Sequence, residues 1–426
     1  YPGKAHEALA SQNGNISIDW FLKHRRNPNP RQVRLRSAEL RNASAYWAHV
    51  LQAESPKEFM AVDAEVVDRN VIRLDTSNVL EIALSPSAAL VGQEAPVKVV
   101  WNGVAQDVRF DGGQLRLRAP GYVPAALSKK PSLPGTLADF GVTPFAVVIG
   151  TSAKDPQMAE MCAQKARAFV DNWRDWQKQE PRVFKDTEIG EADIARYSLM
   201  LIGGPDANRV TAKLAAKIPL KVSPDQITVD DKSFPVKDAA VQMVYPHPLN
   251  SERYVLVVAA TSADGMYFTD PRNRGFADWD YVVLDGRIPA VKQGASPWQT
   301  RVVSGLFDHA WRRSDALAQA GDAEIRDKGR QTRRPNASLK IDAKVLDSYV
   351  GRYQIEQGPP VEVFKEGVSL KARAGGQQAL TLVPESETDY VLLGEDVRLS
   401  FVREAGQVTG FNGYQSGRDF VAKRLP

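Results

Sequence analysis

The sequence predicts a mixed, multidomain fold in which a β-sandwich is followed by an α/β layer and a small C-terminal antiparallel β domain. Three observations support this prediction. The chain has 426 residues, which is more than one hydrophobic core usually organises. Apolar residues recur with period two up to about residue 120, and strand–helix alternation begins near residue 143. Short strands with glycine turns return from residue 341 onward.

The first segment, 1–30, predicts a helix over 7–26. Its regular part is limited to 16–26 if Asn13-Gly14 interrupts it. Apolar side chains lead into the basic end "KHRRNPNP", where cations suit the C-terminal end of a helix and the prolines stop it.

Segment 31–120 reads as strands such as "QVRLRSAEL", "EFMAVDAEVV" and "VIRLDTSNVLEIALS", separated by turn residues such as Asn102-Gly103. Strands at this spacing without intervening helices predict a β-sandwich of immunoglobulin-like size. With a single cysteine in the chain, the sandwich has no disulfide. The proline-rich segment 121–142 predicts a linker or a wrapping segment.

Segment 143–290 alternates buried strands such as "PFAVVIGTS" with helices. The longest helix starts with Asp155 as the expected N-cap and Pro156 at the first helical position. This alternation predicts a parallel sheet covered on both faces, in a three-layer domain resembling a flavodoxin-like or Rossmann-like layer. Segment 291–340 is a mixed connecting stretch, and 341–426 predicts a small antiparallel barrel or sandwich.

The charge pattern gives no indication of nucleic acid as a partner. The net charge is +4, with 55 Lys and Arg scattered among 51 Asp and Glu. The densest basic stretch, "RDKGRQTRRP", contains no aromatic residue and reads as a solvated linker. No apolar run approaches the roughly 20 residues that cross a bilayer. The five histidines lack ligand spacing, so we predict no metal and no cofactor.

A complete catalytic site is not recognisable within the chain. The sequence lacks the G-x-S-x-G turn that exposes the serine of α/β hydrolases. The nearest candidate nucleophile is Ser152 in "VVIGTSAKD". The loops "IGTSAKDP" and "LIGGPDAN" would both lie at carboxyl ends of strands, where ligands bind in such folds. Tight turns explain their glycines equally well.

The other residues that could take part in catalysis or metal binding are predicted to have structural roles or to be solvated. His247 lies between two prolines and predicts a rigid loop. Asp230-Asp231 falls in an expected hairpin turn, where both carboxylates would be solvated. Cys162 lies on the apolar face of a predicted helix and is expected to be a buried thiol.

Residues 20–50, "WFLKHRRNPNPRQVRLRSAELRNASAYWAHV", resemble a junction found in bacterial prolyl-oligopeptidase-like serine hydrolases, where an α/β-hydrolase domain runs into a strand pair with a Tyr-Trp couple, here Tyr46 and Trp47. The α/β segment resembles the region that follows in such multidomain enzymes. "LVPESETDYVLL" and "QSGRDFVAKRL" resemble a small β domain appended to serine hydrolases and β-lactamase-like proteins.

The resemblance implies that residues 1–30 form the terminal helix of an α/β-hydrolase domain. It places His6, in "PGKAH", at the position of the last member of a Ser–Asp–His triad. The serine and the acid would then lie upstream or on a separate chain. The alternative is that His6 is an exposed terminal residue.

Two functions follow as expectations. The first is the C-terminal accessory portion of an extracytoplasmic serine hydrolase, an esterase or peptidase, packing on an upstream or separate catalytic domain; self-association stays open. The second is a stand-alone binding module for carbohydrate or a cell-wall component. In that case Trp101, Trp279, Trp298 and Trp311 are the candidate platforms, although core packing is the commoner fate of tryptophan.

Overall fold

A computed structural model describes residues 16–267, 269, 277–288, 301–321, 323, 330–331, 339–356, 358–377, 379–392, 397–415 and 418–426. The chain divides into two compact units, 1–131 and 132–426. This division falls inside the predicted linker 121–142, and it keeps the predicted C-terminal domain, 341–426, in one unit with the α/β segment.

The described residues of the first unit include a short helix and two β-sheets. Its elements are α1 (Ile16–Lys23), β1 (Gln32–Ser37), β2 (Ser44–Ala45), β3 (Ala48–Gln52), β4 (Met60–Asp68), β5 (Val71–Ser77), β6 (Glu81–Leu84), β7 (Val97–Trp101), β8 (Val104–Val108) and β9 (Leu115–Arg118). The sheets run in the orders β1-β4-β5-β7-β8 and β2-β3-β6-β9. Strands β5 and β7 pair in parallel.

The two sheets share one hydrophobic core, as the period-two pattern predicts. Along β4 the side chains of Val62, Ala64 and Val66 are buried, whereas Asp63 and Glu65, which alternate with them, lie on the outer face and contact arginines. Because successive side chains point to opposite faces of a strand, this alternation assigns one face to the core. Buried residues from β3, β6 and β9 complete the same cluster.

The second unit begins with a mixed sheet and its helices. The elements are β10 (Phe145–Ile149), α2 (Pro156–Gln177), β11 (Arg182–Lys185), α3 (Glu191–Arg196), β12 (Ser198–Ile202), α4 (Arg209–Leu214), β13 (Leu220–Ser223), β14 (Gln226–Val229), β15 (Lys232–Phe234), β16 (Ala240–His247), β17 (Asn250–Ala260), α5 (Ala263–Tyr267), β18 (Tyr281–Leu284), β19 (Arg287–Ile288), β20 (Arg301–Phe307), β21 (Arg313–Ala320) and β22 (Arg330–Gln331).

The expectation of a purely parallel sheet is wrong. The sheet order is β11-β10-β12-β17-β16-β18-β20-β21, and only the first four of these strands are mutually parallel. Strand β16 pairs antiparallel with both β17 and β18. The physical reason is the short connection after His247, because two strands joined by a tight loop can pair only as an antiparallel hairpin.

Helix α2 starts as the sequence predicts. Asp155 is its N-cap, and the side-chain carboxylate accepts a hydrogen bond from Gln157 N, while Pro156 occupies the first helical position. Lys178 ends the helix in the left-handed conformation, with φ of 55°.

The second half of the predicted linker is packed rather than loose. Leu137 and Phe140 are buried within a 3-10 helix at Leu137–Val142. The Thr136 N–H donates to the buried carboxylate of Asp280 at 2.6 Å, and Tyr254 donates through its hydroxyl to Asp139 at 2.6 Å. These contacts fix the segment 132–142 to the second unit.

The C-terminal part is a closed antiparallel barrel, one of the two predicted architectures. It consists of helix α6 (Ala343–Tyr349) and strands β23 (Gly351–Ile355), β24 (Pro360–Glu366), β25 (Ser369–Ala374), β26 (Leu380–Pro384), β27 (Asp389–Leu392), β28 (Val397–Glu404), β29 (Gln407–Gln415) and β30 (Arg418–Arg424). Each strand pairs with its neighbour in sequence, and β30 returns to β23. Side chains fill the interior; the rings of Tyr349 and Phe401 stack 4.0 Å apart.

Candidate functional site

The carboxyl ends of the parallel strands lie at one edge of the sheet. The two loops that the sequence analysis considered as ligand-binding loops follow these strand ends. The loop after β10 contains Thr151 and Ser152, and the loop after β12 leads to Arg209 at the start of α4. Asp186, the residue directly after β11, is buried between these two loops. The structure therefore brings Ser152 together with two residues that the sequence reading did not single out, Asp186 and Arg209.

The carboxylate of Asp186 accepts hydrogen bonds from both loops at this edge. One carboxylate oxygen accepts from the Thr151 N–H at 3.0 Å and from the Thr151 hydroxyl at 2.5 Å. The other oxygen accepts from the Ser152 hydroxyl at 2.7 Å and from the Arg209 N–H at 2.8 Å. The Arg209 Nε in turn donates to Ser152 Oγ at 3.2 Å. One carboxylate thus connects the ends of β10 and β11 to α4.

These contacts determine what Ser152 can do chemically. Burial of Asp186 opposes ionisation, but the hydrogen bonds from Thr151, Arg209 and Ser152 outweigh it and lower the pKa of the carboxyl. A carboxylate with a lowered pKa is a poor proton acceptor, and a serine nucleophile needs a good one beside it. Ser152 is therefore part of a structural contact and not an activated nucleophile.

The side chain of Asn208 also connects elements at this edge of the sheet. Its side-chain oxygen accepts from Val210 N and Thr211 N and so caps α4, while its amide nitrogen donates to Val148 O at 3.0 Å and to Ile202 O at 3.2 Å. The available sequence signal was an asparagine directly before a helical pattern, which is a common N-cap. Its additional contacts with two strand ends required the tertiary structure.

His6 lies outside the described residues, so the structure does not place the predicted triad histidine. His247 is at the opposite edge of the sheet from Ser152, because β16 runs antiparallel to β17 and His247 pairs with Asn250 at the amino end of β17. Its ring is buried, its Nδ1 accepts from Leu249 N, and burial lowers its pKa. His247 is the last residue of β16 and not part of a loop, so the rigid loop that the flanking prolines predict is limited to the turn at 248–249.

The paired carboxylates of Asp230 and Asp231 are not simply solvated. They lie in the β14–β15 turn, as predicted, but Asp230 accepts from Arg313 N at 3.1 Å and Asp231 accepts from the Arg313 side chain at 3.2 Å. The Arg313 side chain is itself buried, so it draws the exposed turn toward the start of β21.

Cys162 is fully buried on α2, and burial raises the pKa of its thiol to about 12. A thiol with this pKa carries almost no thiolate at neutral pH and is a structural residue. Within the described ranges, no group of three or more metal-binding side chains is present, and no helix is long and apolar enough to span a membrane.

The junction that carries the resemblance has a distinct structure. Tyr46 and Trp47 form the turn between β2 and β3, with Tyr46 exposed and Trp47 buried against the chain at Pro30, whose carbonyl accepts from Trp47 Nε1 at 2.8 Å. Helix α1, which precedes this turn, is exposed on all its described side chains, including Phe21 at 68 % and Leu22 at 79 %.

Neither a scan against models of protein families nor a search of curated proteins gives a match for this chain.

Proposed function

We propose that this chain is the C-terminal accessory portion of a serine hydrolase, an esterase or peptidase, and that α1 packs on the catalytic domain. That domain would lie upstream on the same polypeptide or on a separate chain. His6 would be the general base of its triad, taking the proton of the serine during acylation and returning it to the leaving group.

The exposure of α1 is the observation that carries this proposal. Four large apolar side chains of α1 are exposed, with Ile18 at 57 %, Trp20 at 55 %, Phe21 at 68 % and Leu22 at 79 %. A helix of eight residues is too short to be stable alone in water, and exposed apolar side chains of this size favour burial against a partner. The resemblance of residues 20–50 to a hydrolase junction supports the proposal that this partner is the catalytic domain.

The chemistry of the second unit is consistent with an accessory role. Ser152 contacts a carboxylate whose pKa is lowered, and His247 lies at the other edge of the sheet. The four parallel strands run in the order β11-β10-β12-β17, so the first strand in sequence lies between the second and the third. This order supports our proposal that this part of the chain is a flavodoxin-like layer. The hydrogen bonds of Asp186 link the loops at this edge of the sheet to one another.

A stand-alone carbohydrate-binding module is the second candidate, and the aromatic residues argue against it. Trp101 is 5 % exposed and Trp311 is 2 % exposed, so neither presents a ring to a sugar. Trp279 is half-buried, and Trp298 lies outside the described residues. Among the described tryptophans, Trp176 at 78 % and Trp20 at 55 % exposure are the ones that present much of their surface to solvent.

The test compares esterase activity of the chain with that of the native polypeptide. We expect residues 1–426 to hydrolyse p-nitrophenyl butyrate no faster than the Ser152→Ala variant. In the native polypeptide, assayed with any separately encoded catalytic subunit, His6→Ala should lower kcat by at least about a thousandfold. His24→Ala is the matched control and should retain the activity.

Results on the chain alone and on the native polypeptide could each contradict the proposal. One is hydrolysis by the chain alone that is lost in Ser152→Ala. The other is a native polypeptide that is inactive, or one that keeps its activity with alanine at position 6.

A further inference from the structure

The dipeptide Asn-Gly occurs at 13–14, 102–103 and 412–413, and the structure describes the second and third of these. Both described asparagines, Asn102 and Asn412, are exposed, and each follows a buried aromatic residue. Because the two local sequences are so similar, a difference in their chemical reactivity has to come from the folded structure.

The chemistry at issue is the loss of ammonia from the asparagine side chain. The backbone nitrogen of the following glycine gives up its proton and attacks the asparagine Cγ, and the bond from Cγ to Nδ2 breaks. The Nδ2 group leaves as ammonia and takes up a proton equivalent to the one lost. Water then opens the cyclic succinimide to aspartate or isoaspartate. Glycine favours this step because it has no side chain to hinder the approach of its nitrogen.

Asn102 and Gly103 form the two-residue turn between β7 and β8, across which Trp101 pairs with Val104. Their φ angles are 46° and 85°, as in the tight turns that favour Asn-Gly. The Gly103 N–H makes no hydrogen bond with any residue that the structure describes. Apart from its chain neighbours, no atom would lie within 4 Å of a Cβ at this position. The attacking nitrogen is therefore unpaired and unobstructed.

The backbone of Thr76 contacts the amide group that would react. Asn102 Oδ1 accepts a hydrogen bond from the Thr76 N–H at 2.8 Å, and Asn102 Nδ2 donates to Thr76 O at 3.2 Å. Attack on Cγ moves negative charge onto Oδ1. The Thr76 N–H is thus a donor already placed at the atom on which charge develops, an arrangement that stabilises the transition state.

The environment of Asn412 is the opposite. Gly413 lies within β29, where it pairs with Leu399 of β28 and with Phe420 of β30. A strand with neighbours on both sides directs its N–H groups into the hydrogen-bonded ladders. Gly413 is also buried, and the Phe420 ring lies so close that a Cβ at this position would overlap it. The Gly413 nitrogen is therefore held away from the Asn412 side chain.

We propose that Asn102 is a site of spontaneous deamidation in the folded protein and that the barrel protects Asn412. The product carries an additional negative charge in the β7–β8 turn and no longer donates from Nδ2 to Thr76 O. In its isoaspartate form it also lengthens the backbone of a two-residue turn. The inference does not depend on the hydrolase proposal, because the reacting groups all belong to the first unit.

Incubation of the 426-residue chain at mildly alkaline pH tests this proposal, with digestion at acidic pH and mass spectrometry of the peptides at successive times. We expect Asn102 to deamidate at least about fivefold faster than Asn412 in the folded chain. In urea, the two rates should agree within about twofold, because the surrounding sequences are matched. Asn102→Gln should abolish the conversion at this turn, since glutamine cyclises far more slowly.

Three outcomes would overturn the proposal. Equal rates at Asn102 and Asn412 in the folded chain would show that the turn confers no reactivity. Absence of conversion at Asn102 while the unfolded chain converts would show that Thr76 holds the amide out of reach. A difference that persists in urea would assign it to the local sequence. Circular dichroism during the incubation establishes that the chain stays folded.

Discussion

Asp186 shows how one buried side chain can determine the role of its neighbours. The sequence places it after a strand of ordinary composition, with no motif around it. In the structure it accepts from Thr151, Ser152 and Arg209, so the candidate nucleophile Ser152 becomes a hydrogen-bond donor in a structural contact. The residue that decides the chemistry of this edge is therefore not the one that the sequence reading selected.

Replacing Asp186 with Asn should destabilise the second unit by about 1–3 kcal/mol at pH 7, because an amide oxygen accepts fewer hydrogen bonds and the amide nitrogen would face other donors. The pKa of Asp186 is lowered in the folded state. Its contribution is therefore present above the carboxyl pKa of the unfolded chain, about 3.9, and is lost as pH falls through the lower folded value.

Urea unfolding between pH 7 and pH 3 measures this effect. The stability difference between the unchanged chain and Asp186→Asn should shrink at the acidic end. Asp193→Asn, an exchange on α3, is the control. A difference that stays constant down to pH 3 would contradict the assignment of the effect to the Asp186 carboxylate.

At the scale of elements, the two glycine-containing loops at the sheet edge differ in how closely they are packed. A side chain at Gly150 would place its Cβ 2.6 Å from Ala207 O and 2.7 Å from Ile202 O. At Gly204 the nearest atom would be Ala259 Cβ at 3.7 Å, an ordinary contact. The close approach of backbone atoms from the loop after β12 explains the glycine at position 150 without a bound phosphate.

Gly150→Ala should therefore destabilise the second unit by about 2 kcal/mol or more, because backbone atoms cannot move away as a flexible side chain can. Gly204→Ala should change its stability by less than about 1 kcal/mol. Thermal unfolding followed by circular dichroism compares the two variants under the same conditions. Equal destabilisation, or a larger effect at Gly204, would show that the close approach at Gly150 is not what limits substitution.

At the scale of the whole molecule, the division between units falls after Pro131. The residues after it are held by buried contacts such as the hydrogen bonds of Thr136 with Asp280 and of Tyr254 with Asp139. By contrast, 121–131 includes exposed side chains such as Val123, which is 81 % exposed. The accessible part of the predicted linker is thus shorter than the proline-rich stretch.

Limited proteolysis should cut within 121–131 and release a stable product that begins before residue 132, since cleavage requires a segment that can leave its packing. Mass spectrometry of the products after short digestion identifies the sites. The strands over 198–260 serve as the internal control and should resist. Early cleavage there, or equal cleavage at 132–142, would contradict this boundary.

The sequence by itself determined the hydrophobic periodicity of each segment and the local signals that mark where helices and strands begin and end. Period-two patterning gave the two sheets of 31–120, and Asp155 with Pro156 gave the start of α2, because these signals act between residues close in the chain. The antiparallel β domain after 341 was likewise readable from its turns. The exposure of α1, the closure of β23 to β30 into a barrel and the direction of β16 depended on which elements meet in space.

The side-chain contacts at the sheet edge depend almost entirely on tertiary structure. Asp186, Asn208 and Arg209 belong to three different connections that sequence spacing does not relate, and they act together because parallel strands end at one edge. Local patterns specify how a segment folds, whereas the meeting of distant side chains depends on the packing of the whole unit.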